Sequence, residues 1–237
     1  MFSQSVVVIP AFNPSNDLIL YAKQLIDKGV PSIIIVNDGS KPEHQAVFDQ
    51  LAALPACQLL VHEVNRGKGR ALKTAFSYIK EQQLAVKTIV TADADGQHVA
   101  EDVMALITVA KDSPNTIVLG VRDFDQDNVP SKNAFGNKLT SRVVALLFGT
   151  YISDTQTGLR AFDFNHLDWL LDVSGDRFEY EMNVLTYALI QSIPIHEQAI
   201  QTIYFGGESS SHYNALTDSL RIAKQLLRGF ILKKRFK

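Results

Sequence analysis

The chain has 237 residues, 46% of them apolar and 20% charged, with a formal net charge of −2. This length and apolar content provide for a sizeable core, and the absence of a basic surplus excludes a general nucleic-acid binder. The single Cys57 excludes an intrachain disulfide and fits a reducing compartment, and no run of 18 apolar residues offers a bilayer span.

Read in chain order, the first 120 residues alternate strand-like and helix-like segments. "SVVVIP" (5–10) is a Val-rich run too short for a helix. Leu18, Tyr21, Ala22, Leu25 and Ile26 then recur at helical spacing, with Gly29 as the stop. "SIIIV" (32–36) predicts a second strand and 43–54 a second helix. "QLLVHE" (58–63) and 68–82 repeat the pair, "TIVTA" (88–92) and 100–111 repeat it again, and "TIVLGVR" (116–122) adds a fifth strand. Apolar strands between amphipathic helices imply an α/β protein with a mainly parallel central sheet and helices on both faces.

Ligands of such sheets bind beyond the carboxyl ends of the strands. Those ends read "PAFN" (10–13), "NDGS" (37–40), "NRGKG" (65–69), "DADGQ" (93–97) and "RDFD" (122–125). The second half is less regular. It predicts a helix over 131–148 with Phe135, Leu139, Val143 and Leu146 or Leu147 on one side, a strand at "TGLRAF" (157–162), and a helix near 179–191. A strand pair through 193–205 and a long basic amphipathic helix from about 214 complete it.

Asp93 and Asp95 repel each other at their spacing unless a cation or hydrogen bonds compensate. Two carboxylates at a strand mouth suit Mg2+ or Mn2+, which keep positions open for phosphate oxygens. The plain alternative is a pair of solvated loop acids. Asp38 could meet a nucleoside or simply form an Asp-Gly turn. Arg66, Lys68 and Arg70 at a glycine-bearing helix start suit a diphosphate or merely cap the helix. The Walker A spacing is absent, as is the Gly-x-Gly-x-x-Gly of dinucleotide folds.

The ordered set "VVVIPAFN … IIIVNDGS … NRGKGRAL … TIVTADADGQH" resembles the family 2 glycosyltransferases, which have the GT-A fold. "DTQTGLRAF" (154–162), "RFEYEMNVL" (177–185) and "YFGGESSSHYNALTDSLRI" (204–222) look like the polyprenyl-phosphate subgroup, which includes the dolichol-phosphate mannose synthases. The resemblance implies transfer of a hexose from a UDP- or GDP-sugar to a polyprenyl phosphate, with inversion and with Mg2+ or Mn2+. A family 2 enzyme with a glycan or small-molecule hydroxyl acceptor is the alternative. It places Pro10, Ala11 and Asp38 against the nucleoside, Asp93, Asp95 and Gln97 at the metal, and Lys68 near the diphosphate. Arg122 and Arg142 match positions facing the acceptor phosphate; Asp154, Gln156 and Arg160 line the sugar and acceptor region. Glu179 and Glu181 fall in the acidic motif, and Ser211 and His212 in a late loop near the diphosphate. Asp95, Arg122, Asp154 and Arg160 are the expected catalytic residues.

Asn37, Pro14 and Ser15 depart from the family's acidic pattern, and the C-terminal transmembrane pair of many relatives is absent from this sequence. A GT-A domain over 1–212 is expected, with a nucleotide half to about 122 and an acceptor half after it. Residues 213–237, ending "RGFILKKRFK", are expected as a basic amphipathic helix on the membrane surface. With no visible leader, the expected location is the cytoplasmic face of the membrane, and an integral-membrane partner protein would fit a lipid product.

Overall fold

The computed structural model describes residues 3–126, 129 and 131–201. Strands β1 (Ser5–Ala11), β2 (Ile33–Asp38), β3 (Cys57–His62), β4 (Thr88–Thr91), β5 (Ile117–Val121), β6 (Arg160–Asp163) and β7 (Ile195–Ala199) form one sheet, in the order β3-β2-β1-β4-β6-β5-β7. Six strands run parallel; β6 alone is antiparallel to both its neighbours, β4 and β5. The sheet is interleaved with helices α1 (Asp17–Asp27), α2 (Gln45–Ala52), α3 (Lys68–Glu81), α4 (Ala100–Asp112), α5 (Ser131–Phe148), α6 (Leu167–Asp172) and α7 (Glu179–Gln191).

The alternation of side chains along a strand feeds two cores. Val6 and Val8 of β1, with Ile34 and Val36 of β2, pack under α3, α6 and α7. Val7, Ile9, Ile33 and Ile35 pack on the other face under α1, α2 and α4. All eight are fully buried, and each contributes about 1.5–3 kcal/mol on leaving water. This explains the unbroken apolar runs, since both faces of these strands are covered. Helix α1 stops where Gly29 takes φ 92°, letting Gly29 N donate to Ile26 O and Val30 N to Leu25 O.

The expected strand at 157–162 begins only at Arg160, because 157–159 belong to a buried irregular segment. Helix α6 was not foreseen; six residues are too few to display a helical period. Of the expected strand pair through 193–205, β7 is described; the rest, and the helix from 214, lie outside the described residues.

Helix α5 has the expected bounds, and most of its apolar stripe faces away from the core. Its inner face carries Asn137, Thr140, Ser141, Val144 and Phe148, whereas Phe135, Leu139 and Leu146 are 71%, 49% and 84% exposed. The polar groups of the segment beneath it select the polar side of the helix, as described below. Among the described residues no helix is long and apolar enough to cross a membrane.

Candidate active site

Parallel pairing brings the carboxyl ends of β1, β2, β3, β4 and β5 to one edge of the sheet. Ala11 is paired with Asn37 and Val8 with Thr91, so the segments after β1, β2 and β4 adjoin. Pro10 and Ala11 close β1 there. Asn37 Oδ1 accepts from Ser40 N (2.9 Å), and Ser40 Oγ accepts from Asn13 N (2.8 Å), tying the first two loops together.

Asp38 is only 3% exposed. Its Oδ1 accepts from Arg66 N (2.9 Å) and lies 2.7 Å from His62 Nδ1, while Oδ2 accepts from Gly67 N (2.8 Å). His62 Nε2 in turn lies 2.9 Å from Thr74 Oγ1 on α3. Asp38, expected against the nucleoside, is placed here as a support of the neighbouring loop. Both its oxygens are spent on the 65–69 loop, which it fixes at the start of α3. Sequence reading missed His62 because nothing in "LLVHE" distinguishes an inward histidine.

At the head of α3, Lys68 Nζ stands 2.6 Å from Asp93 Oδ1 and 2.9 Å from Glu181 Oε2 on α7. Burial alone would lower the Lys68 pKa; the two carboxylates overcome it and raise the pKa above the ordinary lysine value. Asp93 shows the mirror image. Desolvation pushes it up, but Lys68 and then His98, whose Nε2 is 3.4 Å from Oδ2, hold it well below the usual carboxylate range. Among the described residues Asp95 has no ion pair of its own. Desolvation by the cleft wall and then the charge of Asp93 raise its pKa, although the residue lies on the exposed side of the loop. Its one hydrogen bond among the described residues is from Gln97 N (3.0 Å).

These residues fit a divalent cation. A Cβ at position 158 would lie 2.3 Å from Asp93 Oδ2, so only glycine there leaves room for the carboxylate. Asp95 has an ionisation penalty that a cation would remove, and Glu181 Oε1 is buried without a hydrogen-bond partner among the described residues. Among the described residues no group of three or more His, Cys, Asp or Glu is arranged to hold a metal. Two carboxylates with further ligands from a phosphate suit Mg2+ or Mn2+.

Across the cleft, Arg122 after β5 pairs with Asp154. Nε donates to Oδ2 (2.7 Å), Nη2 to Oδ1 (3.2 Å) and the backbone N to Oδ2 (3.3 Å), and the guanidinium lies 5.2 Å from the Phe124 ring centre. Gln156 N also donates to Asp154 Oδ1 (3.1 Å), and Asp154 is 0% exposed. Asp154, expected among the catalytic residues of the sugar and acceptor region, stands here as an anchor for Arg122. The side-chain Nε2 of Gln156 is buried without a partner among the described residues.

Arg160, expected to line the sugar and acceptor region, is enclosed. At 2% exposure it donates to three backbone carbonyls, those of Thr157 (2.9 Å), Glu181 (2.7 Å) and Thr155 (3.4 Å). Glu179 and Glu181 diverge, as two-residue spacing on a helix requires. Glu181 reaches Lys68, while Glu179 Oε1 accepts from Asp176 N and Arg177 N (both 3.2 Å) and closes the first turn of α7. Arg142 lies on the exposed face of α5. Ser211 and His212 lie outside the described residues.

A mainly parallel sheet with one reversed strand, and an Asp-x-Asp at its open edge beside a clamped lysine loop, define a GT-A glycosyltransferase. The chain belongs to Glycosyl transferase family 2, whose model matches residues 6–167, more than half its length. It is 30% identical over 215 residues to a UDP-N-acetylglucosamine–dolichyl-phosphate N-acetylglucosaminyltransferase of Methanococcus voltae, covering 84% of this chain and 85% of that protein. It is 29% identical over 173 residues to an undecaprenyl-phosphate 4-deoxy-4-formamido-L-arabinose transferase of an Enterobacter species, covering 70% of this chain but only 50% of that one. The fold is shared with glucosyl-3-phosphoglycerate synthase of Mycobacterium tuberculosis, solved with Mn2+, UDP-glucose and phosphoglyceric acid. That match has a TM-score of 0.70 at 16% identity and covers 96% of this chain and 80% of that one.

Proposed function

We propose that the protein transfers a hexose-type sugar from a nucleoside diphosphate sugar to a polyprenyl phosphate, by a single displacement that inverts the anomeric carbon. The observation that carries the acceptor class is the state of Asp154. With both oxygens engaged and 0% exposure, it offers the cleft an oriented guanidinium instead of a base. A hydroxyl acceptor needs a base. A phosphate monoester, with a second pKa of about 6, arrives already ionised and calls for a cation such as Arg122. The names of the two lipid-phosphate transferases among the relatives support the same reading.

In this reading an oxygen of the lipid phosphate forms a bond to the anomeric carbon as the bond from that carbon to the diphosphate breaks, and the diphosphate leaves with its electron pair. Asp93 and Asp95, with Gln97 adjacent, would hold Mg2+ or Mn2+, which supplies charge neutralisation to the departing diphosphate when bound. Lys68 adds a fixed positive charge beside Asp93, and the Asp38-held loop presents its backbone at the same edge. The acceptor lipid requires contact with a membrane. The exposed Phe135, Leu139 and Leu146 of α5, with Arg142 among them, supply an apolar and basic face for peripheral binding. The basic sequence of 213–237 supplies a second.

The test is transfer of radiolabelled sugar from a panel of UDP- and GDP-sugars into organic-extractable undecaprenyl phosphate, with Mn2+, with Mg2+ and with EDTA. Label that enters the lipid phase only with metal supports the proposal and identifies the donor. Label appearing solely on a soluble hydroxyl acceptor overturns it.

A further inference from the structure

The segment between Gly149 and Arg160 forms no helix or strand, yet Asp154, Thr155, Thr157 and Leu159 are 0–1% exposed. Irregular backbone is ordinarily at the surface, because its polar groups need partners. Here three side chains from three elements supply them. Asn137 of α5, itself 2% exposed, donates Nδ2 to Ser153 O (2.5 Å) and accepts at Oδ1 from Thr155 N (3.1 Å) and Thr155 Oγ1 (3.3 Å). Glu197 of β7 accepts at Oε1 from Ser153 N (2.6 Å) and Ser153 Oγ (2.9 Å). Arg160 of β6 holds the carbonyls of Thr155 and Thr157.

Asp154 lies between the two residues that Asn137 grips. Its position sets that of Arg122, which it holds by two side-chain bonds. The face of α5 opposite Asn137 carries the exposed Phe135, Leu139 and Leu146. One helix therefore bears both an exposed apolar face and the grip on the arginine anchor.

We infer that Asn137 is a positioning residue for the transfer step: it makes α5 the reference against which the 153–157 segment, and through it the Asp154–Arg122 pair, is held. The inference rests on the proposed lipid-phosphate acceptor for its kinetic consequence but not for its structural one. The residues proposed to hold the nucleoside diphosphate and its metal, Lys68, Asp93 and Asp95, make no bond to Asn137, so UDP binding and transfer should respond differently. A displacement of about 1 Å in a positioning group costs roughly 10²-fold in rate.

The experiment is Asn137→Ala and Asn137→Asp in the full chain. Asn137→Asp keeps the acceptor for Thr155 and loses the donor to Ser153. It is the variant to read if the alanine form has no cooperative unfolding transition. The expected result is a fall in kcat for sugar transfer to undecaprenyl phosphate of about 10²-fold in Asn137→Ala and less in Asn137→Asp. The Kd for UDP with Mn2+, by calorimetry, should stay within twofold, and amide exchange at Ser153 and Thr155 should quicken about tenfold while that of 33–36 is unchanged. Unchanged exchange at 153 and 155, kcat within twofold of the unsubstituted protein, or parallel losses of kcat and UDP affinity would each overturn the inference. If the unsubstituted protein labels no lipid, the proposed function falls, and the exchange measurement still decides the role of Asn137.

Discussion

The strand ends before residue 122 and the elements after it solve different electrostatic problems. In the first region charges sit close and are left partly uncompensated. Asp95 has a raised pKa beside Asp93, and only Lys68 and His98 steady the pair. In the second region the two arginines of the site are matched by fixed acceptors. Arg122 is held bidentately by a fully buried Asp154, and Arg160 is spent on carbonyls. A region that retains an electrostatic deficit is suited to receive a cation and a diphosphate. A region with its arginines so matched is suited to hold one of them in a fixed attitude. Lys68 joins the two, since it bridges Asp93 from one side and Glu181 from the other.

The sharpest way to break this contrast is Asp95→Asn. If its charge serves only a bound cation, transfer should fall about 10³-fold. The metal-free protein should be no less stable, because a carboxylate whose pKa is raised carries an ionisation cost that asparagine lacks. Initial rates of transfer measure the first part, and thermal unfolding with and without Mn2+ the second. A Tm that still climbs with Mn2+ in the variant would falsify the assignment of Asp95 to the metal.

The next largest effects distinguish the two arginines of the second region. Arg122→Lys loses the bidentate fork while keeping a charge beside Asp154, and transfer should fall about 10²-fold with a small change in stability. Arg160→Met should do the reverse. It strands three buried carbonyls at about 1 kcal/mol or more apiece, so a loss of roughly 3 kcal/mol is expected. Because Arg160 also holds the carbonyls of Thr155 and Thr157, activity per folded molecule, from urea unfolding paired with initial rates, should fall as well, but by clearly less than in Arg122→Lys. Equal loss of kcat in both variants would restore Arg160 to the catalytic set.

This contrast also decided what was legible beforehand. Strands β1, β2 and β4 are buried on both faces, so their sequences are unbroken apolar runs, and the carboxyl-end rule then located Asp38, Lys68, Asp93 and Asp95. What that rule lacks is direction. It brought Asp38 to the cleft but could not show the carboxylate turned back onto Arg66 N and Gly67 N. In the second region the periodicity of α5 gave correct bounds and an apolar stripe, but a stripe does not say which side meets the core, and Phe135, Leu139 and Leu146 of it lie exposed. The burial of the 153–157 segment sets that side by demanding Asn137, Thr140 and Ser141 on the inside. Glu197 and Asn137 left no signal, since each acts on a segment far away in the chain. The antiparallel β6 was similarly unreadable, as a four-residue strand records no direction.

Lys68→Met probes the bridge between the regions through pH. In the unsubstituted protein the folded Asp93 pKa lies below its unfolded value of about 3.9. Its contribution is therefore present above that value and is lost as pH falls through the folded pKa. Without Lys68, the largest influence lowering it, burial dominates and Asp93 moves above its unfolded value. The folded variant then binds the proton first, so acidification favours it. Since the side chains of Lys68 and Asp93 are 16% and 28% exposed, the loss at pH 7 should be about 2–3 kcal/mol, under the usual cost of breaking a fully buried pair. It should shrink as pH is lowered toward 5. Urea unfolding at pH 7, 6 and 5 measures the trend, and a penalty that grows with acid would remove Lys68 as the counter-charge of Asp93.

The smallest expected effect on the isolated protein is at the outer face of α5. Leu146, at 84% exposure, makes little use of its side chain in the folded monomer. Leu146→Ser should change stability by no more than about 0.5 kcal/mol. An apolar side chain that leaves water only at a bilayer should nevertheless matter there, by about 1.5 kcal/mol or roughly tenfold in vesicle affinity. Sedimentation with anionic vesicles reads that difference, and combining Leu146→Ser with Phe135→Ser should deepen it. Because this face lies opposite Asn137, the double variant should also slow transfer to lipid-embedded acceptor while leaving UDP binding intact. Vesicle affinity that is unmoved by both substitutions would detach α5 from the membrane and leave the 213–237 segment as the remaining candidate for that contact.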